Sequence, residues 1–312
     1  MARTDSRSLK ATWLATRLAG RFSTRLGGAF AARLWFTPWE VPVTAKGQAK
    51  QAGWLEATTP TSFYVDGREI RGFCAGEGPT VLLVHGWGEH GASLGGFIAP
   101  LVDAGYRVVG IDLPGHGATS RGRTNIFELA SAVWGVANEL GGIHSVIAHS
   151  MGGYVTTVAL SQGLLTESVV FIAPATSVKN ALEKFGSMFL LPPRSIHGLR
   201  ADIQRRFGAD VWDRLDGPAL ARTFKVPALI VHDSDDPQVD LAGSEELAAA
   251  WAGSRLITTS GLGHTHILRS PEVLGWTTRF LAEAANPFTP HLVHAAPHVT
   301  DRVPERSGST AA

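Results

Sequence analysis

One stretch of the chain decides the fold: Ser145-Val146-Ile147-Ala148-His149-Ser150-Met151-Gly152-Gly153-Tyr154. A short β-branched run, typical of a buried strand, leads directly into Ser150, and a helical segment follows. A strand that turns so sharply into a helix tolerates only small side chains two residues before and after the turn, where Ala148 and Gly152 stand. The pattern predicts that the turn presents the Ser150 hydroxyl as a nucleophile.

Short apolar runs on both sides of this stretch repeat one theme. A glycine or proline break follows each run, and then an amphipathic segment, which is typical of βαβ units and a parallel sheet. The chain therefore predicts an α/β fold with a mostly parallel central sheet flanked by helices. Six parallel strands are predicted, at residues 81–84, 107–111, 145–148, 169–172, 228–231 and 255–258.

Two further features place this sheet in a larger domain, residues 61–284. An Asp66-Gly67 pair between two alternating segments is a strong hairpin signal, so an antiparallel hairpin precedes the parallel run. The connection from residue 172 to residue 228 is longer than one crossover helix needs. This length predicts a small helical cap inserted at about 175–225.

A serine nucleophile needs a histidine base and an acid to orient that base, and in this strand-turn-helix context they follow the serine in the order acid, histidine. Three acids, Asp233, Asp235 and Asp236, come after the predicted strand at 228–231. His264 comes after the last predicted strand, with His266 as its rival. The residue types alone leave the choice among these acids open.

Four ordered motifs across about residues 62–284 resemble the α/β-hydrolase fold family, in particular its esterase-like and lipase-like serine hydrolases. They are His85-Gly86-Trp87-Gly88, Asp112-Leu113-Pro114-Gly115-His116-Gly117, His149-Ser150-Met151-Gly152-Gly153, and the acid and histidine segments. Ala148 departs from the family pattern, which usually has glycine there.

The resemblance implies a role for each matching residue. Ser150 is the expected nucleophile and His264, in a Gly-x-Gly-His context, the expected general base. Asp236 is the expected orienting carboxylate, because it lies four residues after His232 as in the family pattern. The backbone amides of Trp87 and Met151 are expected to form the oxyanion hole.

The same resemblance and the composition of the cap predict a substrate pocket. We expect Trp87 and His149 at its edge. An apolar cluster in the cap predicts a preference for short to medium acyl chains: Phe185, Met188, Phe189, Leu190 and Leu191.

The expected activity is hydrolysis of a small carboxylic ester through an acyl-enzyme, with no cofactor. An acyltransferase or a thioesterase would use the same residues, so both stay open.

Two alternatives belong to other classes. Residues 86–91 read Gly-Trp-Gly-Glu-His-Gly, a GxGxxG pattern with Asp112 further on, as in NAD-dependent oxidoreductases. A non-catalytic binding protein on a hydrolase fold is the other.

The ends of the chain differ from its body. Residues 1–59 carry nine Lys/Arg and three Asp/Glu, so residues 1–60 are predicted to form a basic amphipathic extension. A stripe of Leu14, Leu18, Phe22, Leu26 and Phe30 runs at helical spacing beside Arg17, Arg21 and Arg25. Such a helix binds an anionic membrane surface peripherally or packs on the domain or a neighbour. Residues 285–312, rich in Pro, His, Ser and Thr, are predicted to be disordered.

The composition bounds the remaining classes. The chain has 312 residues, of which 44% are hydrophobic and 18% charged, as in a folded globular protein. Its single cysteine, Cys74, excludes an internal disulfide and favours a cytoplasmic location. The Cys and His spacing predicts no metal site, and the mildly acidic body predicts no nucleic-acid partner.

Overall fold

Eight strands form one sheet in the described part of the chain, which in this computed structural model comprises residues 6–40 and 42–284. The strands are β1 (Thr59–Val65), β2 (Arg68–Ala75), β3 (Thr80–Val84), β4 (Arg107–Ile111), β5 (Ser145–His149), β6 (Ser168–Ile172), β7 (Ala228–Asp233) and β8 (Ser254–Thr259). Their order across the sheet is β1-β2-β4-β3-β5-β6-β7-β8.

The predicted α/β class is confirmed. All six predicted parallel strands are present, and β3 to β8 pair in parallel. The predicted hairpin is β1 and β2, which pair antiparallel with Val65 opposite Arg68. Asp66 and Gly67 between them have φ of 50° and 73°, the left-handed pair that a tight hairpin turn requires.

Helices cover both faces of the sheet. They are α1 (Ser6–Phe22), α2 (Thr24–Trp35), α3 (Ala45–Leu55), α4 (Ile98–Asp103), α5 (Ile126–Glu139), α6 (Met151–Ser161), α7 (Val178–Met188), α8 (Pro193–Phe207), α9 (Val211–Arg214), α10 (Gly217–Ala221), α11 (Leu241–Ala250), α12 (Gly263–His266) and α13 (Pro271–Ala284), with 3-10 turns at Gly91–Phe97 and Ile267–Arg269. The strand side chains divide between two buried clusters, one on each face, because neighbours along a strand point to opposite faces.

The cap lies between β6 and β7. Its four helices, α7 to α10, occupy residues 178–221, within the range predicted from the length of this connection. Pro193 begins α8, where its fixed φ and missing N–H suit the first helical position.

The N-terminal extension contains three helices, and the first two, α1 and α2, lie where a single amphipathic helix was predicted. Ser23 separates them, because its backbone is extended and its hydroxyl caps α2 by accepting a hydrogen bond from the Leu26 amide. Both helices pack on α8 through glycines: a Cβ at Gly28 would lie 2.4 Å from the carbonyl carbon of Gly198. The missing side chains let the helix backbones approach closely. The predicted disordered tail, residues 285–312, lies outside the described residues.

Candidate active site

Ser150 sits at the turn between β5 and α6 in a strained conformation. Its φ is 53° and its ψ is −123°, a region that side chains other than glycine rarely occupy. A hydrogen bond of 3.0 Å from its amide to the Ile172 carbonyl ties the turn to the neighbouring strand. Gly152 packs so closely on β3 that a Cβ there would lie 2.4 Å from the Val84 carbonyl oxygen. The sharp turn therefore depends on glycine two residues after Ser150.

The structure brings Ser150, His264 and Asp236 together. The Ser150 Oγ lies 3.0 Å from His264 Nε2, and His264 Nδ1 lies 2.6 Å from Asp236 Oδ2. Asp236 follows β7 and His264 follows β8, so the carboxyl ends of neighbouring parallel strands deliver both side chains to the same edge of the sheet. Since Nδ1 carries its proton and donates a hydrogen bond to the carboxylate, Nε2 is free to accept a hydrogen bond from the Ser150 hydroxyl.

Burial and charge tune this histidine. Its side chain is 6% exposed and that of Asp236 is 1% exposed. Burial lowers the pKa of His264, and repulsion from His149 adds to this, so the pKa lies below its ordinary value although Asp236 favours the cation. Hydrogen bonds from His232 and His264 lower the pKa of the Asp236 carboxyl against the opposing effect of burial. Asp236 is thus an anion and His264 a neutral base.

The structure separates the three acids that follow β7. Of these three acids, only Asp236 forms a hydrogen bond with His264. The amides of Gln238 and Val239 donate to its Oδ1 at 2.7 Å and 3.0 Å. Asp233 accepts hydrogen bonds from the Thr259 hydroxyl and the Leu262 amide.

Asp235 and His266 take no part in this contact. Asp235 accepts a hydrogen bond of 2.8 Å from the Gly261 amide and so helps to shape the loop that carries His264. The rival histidine, His266, is exposed.

The loop after β3 lies directly against Ser150. A Cβ at Gly86 would lie 3.0 Å from the Ser150 Cβ. The Gly86 amide donates to the Glu89 carboxylate at 3.0 Å. In the described part of the chain no main-chain acceptor takes the amide of Trp87 or Met151.

A buried ion pair involves His149, the residue before Ser150. His149 is fully buried: its Nδ1 is 3.1 Å from Glu89 Oε2 and its Nε2 is 3.0 Å from the His264 carbonyl oxygen. Both ring nitrogens face acceptors, so the imidazolium satisfies both. Burial alone would lower the pKa of His149, but Glu89 raises it above the ordinary value.

The partner carboxylate responds in the opposite sense. Burial opposes ionisation of Glu89, but His149 and the Gly86 amide outweigh it and lower the pKa of the carboxyl to about 2. His149 does not line the cavity, which differs from its predicted place at the pocket edge. The pair instead connects the loop after β3, the nucleophile turn and the backbone of His264.

A cavity of about 350 Å³ opens above Ser150. Its floor is formed by the loops that carry Trp87, Ser150, Met151 and His264. Its roof is formed by α2 with the segment after it, by α7 and by α8, which contribute mainly aromatic and aliphatic side chains: Trp35, Phe36, Trp39, Phe185, Met188, Ile203 and Phe207. Trp87 lines the cavity as predicted, and its indole packs against the Trp39 ring.

The share of the N-terminal segment in this roof was not predicted from the sequence. Trp35, Phe36 and Trp39 form a dense aromatic run, but they precede Ser150 by more than 100 residues. An aromatic run at the end of a helix indicates burial without indicating which site it covers. Of the predicted cap cluster, Phe185 and Met188 line the cavity, whereas Leu190 is exposed to solvent.

The loop at residues 86–91 does not offer a dinucleotide site. A pyrophosphate would need its free amides, but Glu89 takes the Gly86 amide and Asp112 takes the Gly91 amide at 2.7 Å. These contacts count against the alternative of an NAD-dependent oxidoreductase. No group of three or more potential metal ligands occurs within residues 6–40 and 42–284.

Comparison with known proteins supports the fold. A family model described as "Alpha/beta hydrolase family" matches residues 81–274. The magnesium-chelatase 30 kDa subunit of Rhodobacter capsulatus is 34% identical over 143 residues, 43% of this chain and 48% of that protein. The chain thus spans about half the length of this relative.

Two further proteins are similar over most of their own length. The pimeloyl-(acyl-carrier protein) methyl ester esterase of Xanthomonas campestris pv. campestris (strain B100) is 25% identical over 249 residues, 66% of this chain and 96% of that protein. The solved structure of an esterase from Exiguobacterium antarcticum matches with a TM-score of 0.55 at 19% identity, covering 72% of this chain and 98% of that one. At this identity the structural match shows the fold alone.

Proposed function

The chain belongs to the alpha/beta hydrolase family, and we propose that it cleaves carboxylic esters through an acyl-enzyme formed on Ser150. One observation carries the proposal: an unbroken line of hydrogen bonds runs from Ser150 Oγ through the His264 imidazole to the Asp236 carboxylate. A serine hydroxyl is a weak nucleophile at neutral pH, and such a line is what activates it.

In the first half of the reaction, Ser150 Oγ attacks the ester carbonyl carbon while His264 Nε2 takes the hydroxyl proton. The carbonyl oxygen becomes an oxyanion that accepts hydrogen bonds from the Trp87 and Met151 amides. His264 then gives its proton to the leaving alcohol as the carbon–oxygen bond breaks. The products of this half are a free alcohol and an ester of Ser150.

In the second half, water replaces the hydroxyl as the nucleophile. His264 Nε2 takes a proton from water, whose oxygen attacks the acyl carbon, and the same two amides stabilise the new oxyanion. Collapse returns the proton to Ser150 Oγ and releases the carboxylic acid. Asp236 stays ionised throughout and stabilises the imidazolium that forms twice.

The lining and volume of the cavity favour a substrate whose larger part is an apolar acyl group. Its roof is mostly aromatic and aliphatic, and its volume of about 350 Å³ suits a short to medium chain. The ester bond itself is supported by the similarity to a protein described as a methyl ester esterase.

Hydrolysis of p-nitrophenyl esters from acetate to laurate tests this proposal. We expect the wild type to hydrolyse the series, to release one carboxylate per p-nitrophenol, and to be labelled by a fluorophosphonate. Ser150→Ala should lose both activities, with kcat reduced by about 10⁶-fold. Ser161→Ala removes an exposed hydroxyl at the end of the same helix and should leave both unchanged. Equal turnover by Ser150→Ala and the wild type would overturn the proposal.

A further inference from the structure

The N-terminal helices leave a large apolar face exposed. The leucine and phenylalanine stripe of α1 and α2 points to solvent, with Phe22 at 83% exposure. We call this the apolar face, and it consists of Leu14, Leu18, Phe22, Leu26 and Phe30. Exposed apolar residues are normal when scattered singly, but five on two consecutive helices form a patch that indicates a binding surface.

The apolar face is not the side through which α1 and α2 pack on the domain. The opposite side of both helices already packs on α8, where a Cβ at Gly27 would lie 2.7 Å from the Ser195 hydroxyl. Thr16 on this inner side is fully buried, and its carbonyl accepts a hydrogen bond from Ser195. The helices are therefore fixed to the cap with their stripe turned outward.

Positive charge borders the apolar face. Helix α1 contains four Lys/Arg and α2 contains two, and neither helix contains an Asp or Glu. Lys10, Arg21 and Arg25 are exposed, and within residues 6–40 and 42–284 none of the three forms an ion pair. A helix of this kind, apolar on one side and cationic beside it, fits the interface of an anionic bilayer.

The apolar face continues to the edge of the cavity. The Trp13 indole donates a hydrogen bond of 2.6 Å to the Phe189 carbonyl, which joins α1 to the end of α7. The residues on either side of Phe189, Met188 and Leu190, are 67% and 65% exposed. Met188 also lines the cavity. The exposed apolar surface thus extends from α1 to the roof above Ser150.

We propose that the apolar face docks the protein on the surface of an anionic lipid bilayer, with Leu190 at the edge of the contact. No helix within the described residues is long and apolar enough to cross a membrane. In this contact the stripe inserts among the headgroups, and the arginines and Lys10 bind lipid phosphates.

Flotation of the full chain with vesicles tests the docking surface. Vesicles of phosphatidylcholine with 30% phosphatidylglycerol should bind the wild type at least tenfold more tightly than pure phosphatidylcholine vesicles. Binding should weaken at 0.5 M NaCl, because salt screens exposed charges. Equal binding to the two vesicle types, or no binding to either, would overturn the proposal.

Three variants locate the contact. The double variant Leu18→Glu/Phe22→Glu should reduce binding to anionic vesicles at least tenfold, and Leu190→Glu should reduce it by a smaller factor. Leu165→Glu is the matched control, since Leu165 is about as exposed as Leu18 but follows α6, outside the apolar face. Ester hydrolysis in solution should be unchanged in the double variant and in the control, which shows that both remain folded.

A second copy of the chain is the competing occupant of this surface. Sedimentation equilibrium without lipid distinguishes the two. A monomer that binds anionic vesicles through Leu18 and Phe22 supports the proposal. A wild-type dimer that Leu18→Glu/Phe22→Glu converts to a monomer, with no loss of vesicle binding by that variant, would assign the apolar face to self-association and overturn the proposal.

Discussion

The floor and the roof of the cavity are built in different ways. The floor side chains come from loops at the carboxyl ends of β3, β5, β7 and β8, and hydrogen bonds to backbone amides hold them: Asp236 alone accepts two, from Gln238 and Val239. The roof consists of helices that meet through close backbone packing, as at Gly28 and Gly198. Its cavity-facing side chains are mostly apolar.

This difference suggests a division of labour between the two regions. Hydrogen bonds fix direction, so under the proposed function the floor holds the reacting groups at the distances that proton transfer needs. Apolar packing fixes shape and volume, so the roof selects among acyl groups. A change in the floor should therefore alter the rate for every ester, whereas a change in the roof should alter the ranking of esters.

The largest expected effect comes from the floor. Asp236→Asn keeps the shape of the carboxylate but favours the wrong tautomer of His264, and kcat should fall by about 10⁴-fold for all esters. Steady-state kinetics on acetate and octanoate esters measures it. Asp235→Asn is the control, because Asp235 contacts the Gly261 amide and not His264. A larger loss of kcat in Asp235→Asn than in Asp236→Asn would show that Asp235, and not Asp236, orients His264.

The floor is also the region that the sequence predicts well. Its residues follow strands that short apolar runs reveal, and parallel strands bring their carboxyl ends to one edge of the sheet. Local patterns and topology thus bring Ser150, His264 and the acids after β7 together, and the family resemblance selects Asp236 among those acids. His149 shows the limit of this logic: its place next to Ser150 suggested the pocket edge, but strand alternation and the Glu89 partner turn its ring inward.

The N-terminal part of the roof could not be predicted because its contacts join distant segments. Helical spacing identifies the stripe from Leu14 to Phe30, but spacing does not tell a buried face from an exposed one. The structure exposes this stripe and buries the face with Thr16, Gly20 and Gly27. Glycines lower helix propensity and so weaken the prediction of a single helix. In the structure they are the points where α1 and α2 approach α8.

The second prediction tests whether the buried pair beneath the floor stabilises it. Glu89→Gln leaves the buried His149 without its counter-charge, and the free energy of unfolding at pH 7 should fall by about 3 to 5 kcal/mol. Since the pKa of Glu89 is lowered from 4.5 to about 2, its contribution is fully present above pH 4.5 and is lost as the pH falls toward 2. The difference between the variant and the wild type should therefore shrink over that range.

Urea unfolding at pH 7, 4.5 and 3 measures this effect. Glu246→Gln is the control, because Glu246 is exposed on α11 and its loss should change the unfolding free energy by less than about 0.5 kcal/mol at each pH. A difference between Glu89→Gln and the wild type that grows on acidification would show that the pair does not stabilise the fold in this way.

The third prediction concerns the roof. Trp39→Ala removes an indole that packs on both Trp87 and Phe189, which enlarges the acyl side of the cavity. We expect the ratio of kcat/KM for laurate over acetate to rise by about tenfold, the effect of one or two methylene contacts in an apolar pocket. Fluorophosphonate labelling of Ser150 should persist, since the floor is intact.

A matched variant separates this effect from general loosening. Trp276→Ala removes an indole from α13, which does not line the cavity, and the ester ranking should stay that of the wild type. If Trp39→Ala instead lowers kcat equally for all esters, the roof holds reacting groups as the floor does, and the contrast between the two regions fails.

The smallest expected effect is a displacement of the pH profile, and it returns to the floor. His264 must be unprotonated to accept the Ser150 proton, so kcat/KM falls on the acid side as His264 becomes charged. Burial lowers the pKa of His264, and repulsion from the His149 cation lowers it further, while Asp236 opposes both. The acid limb of the wild type should therefore have its midpoint below about 6.5, the value of an unperturbed histidine. Trp39→Ala should share that midpoint, because this substitution removes no charge. A midpoint above 7 in the wild type would mean that Asp236 outweighs burial.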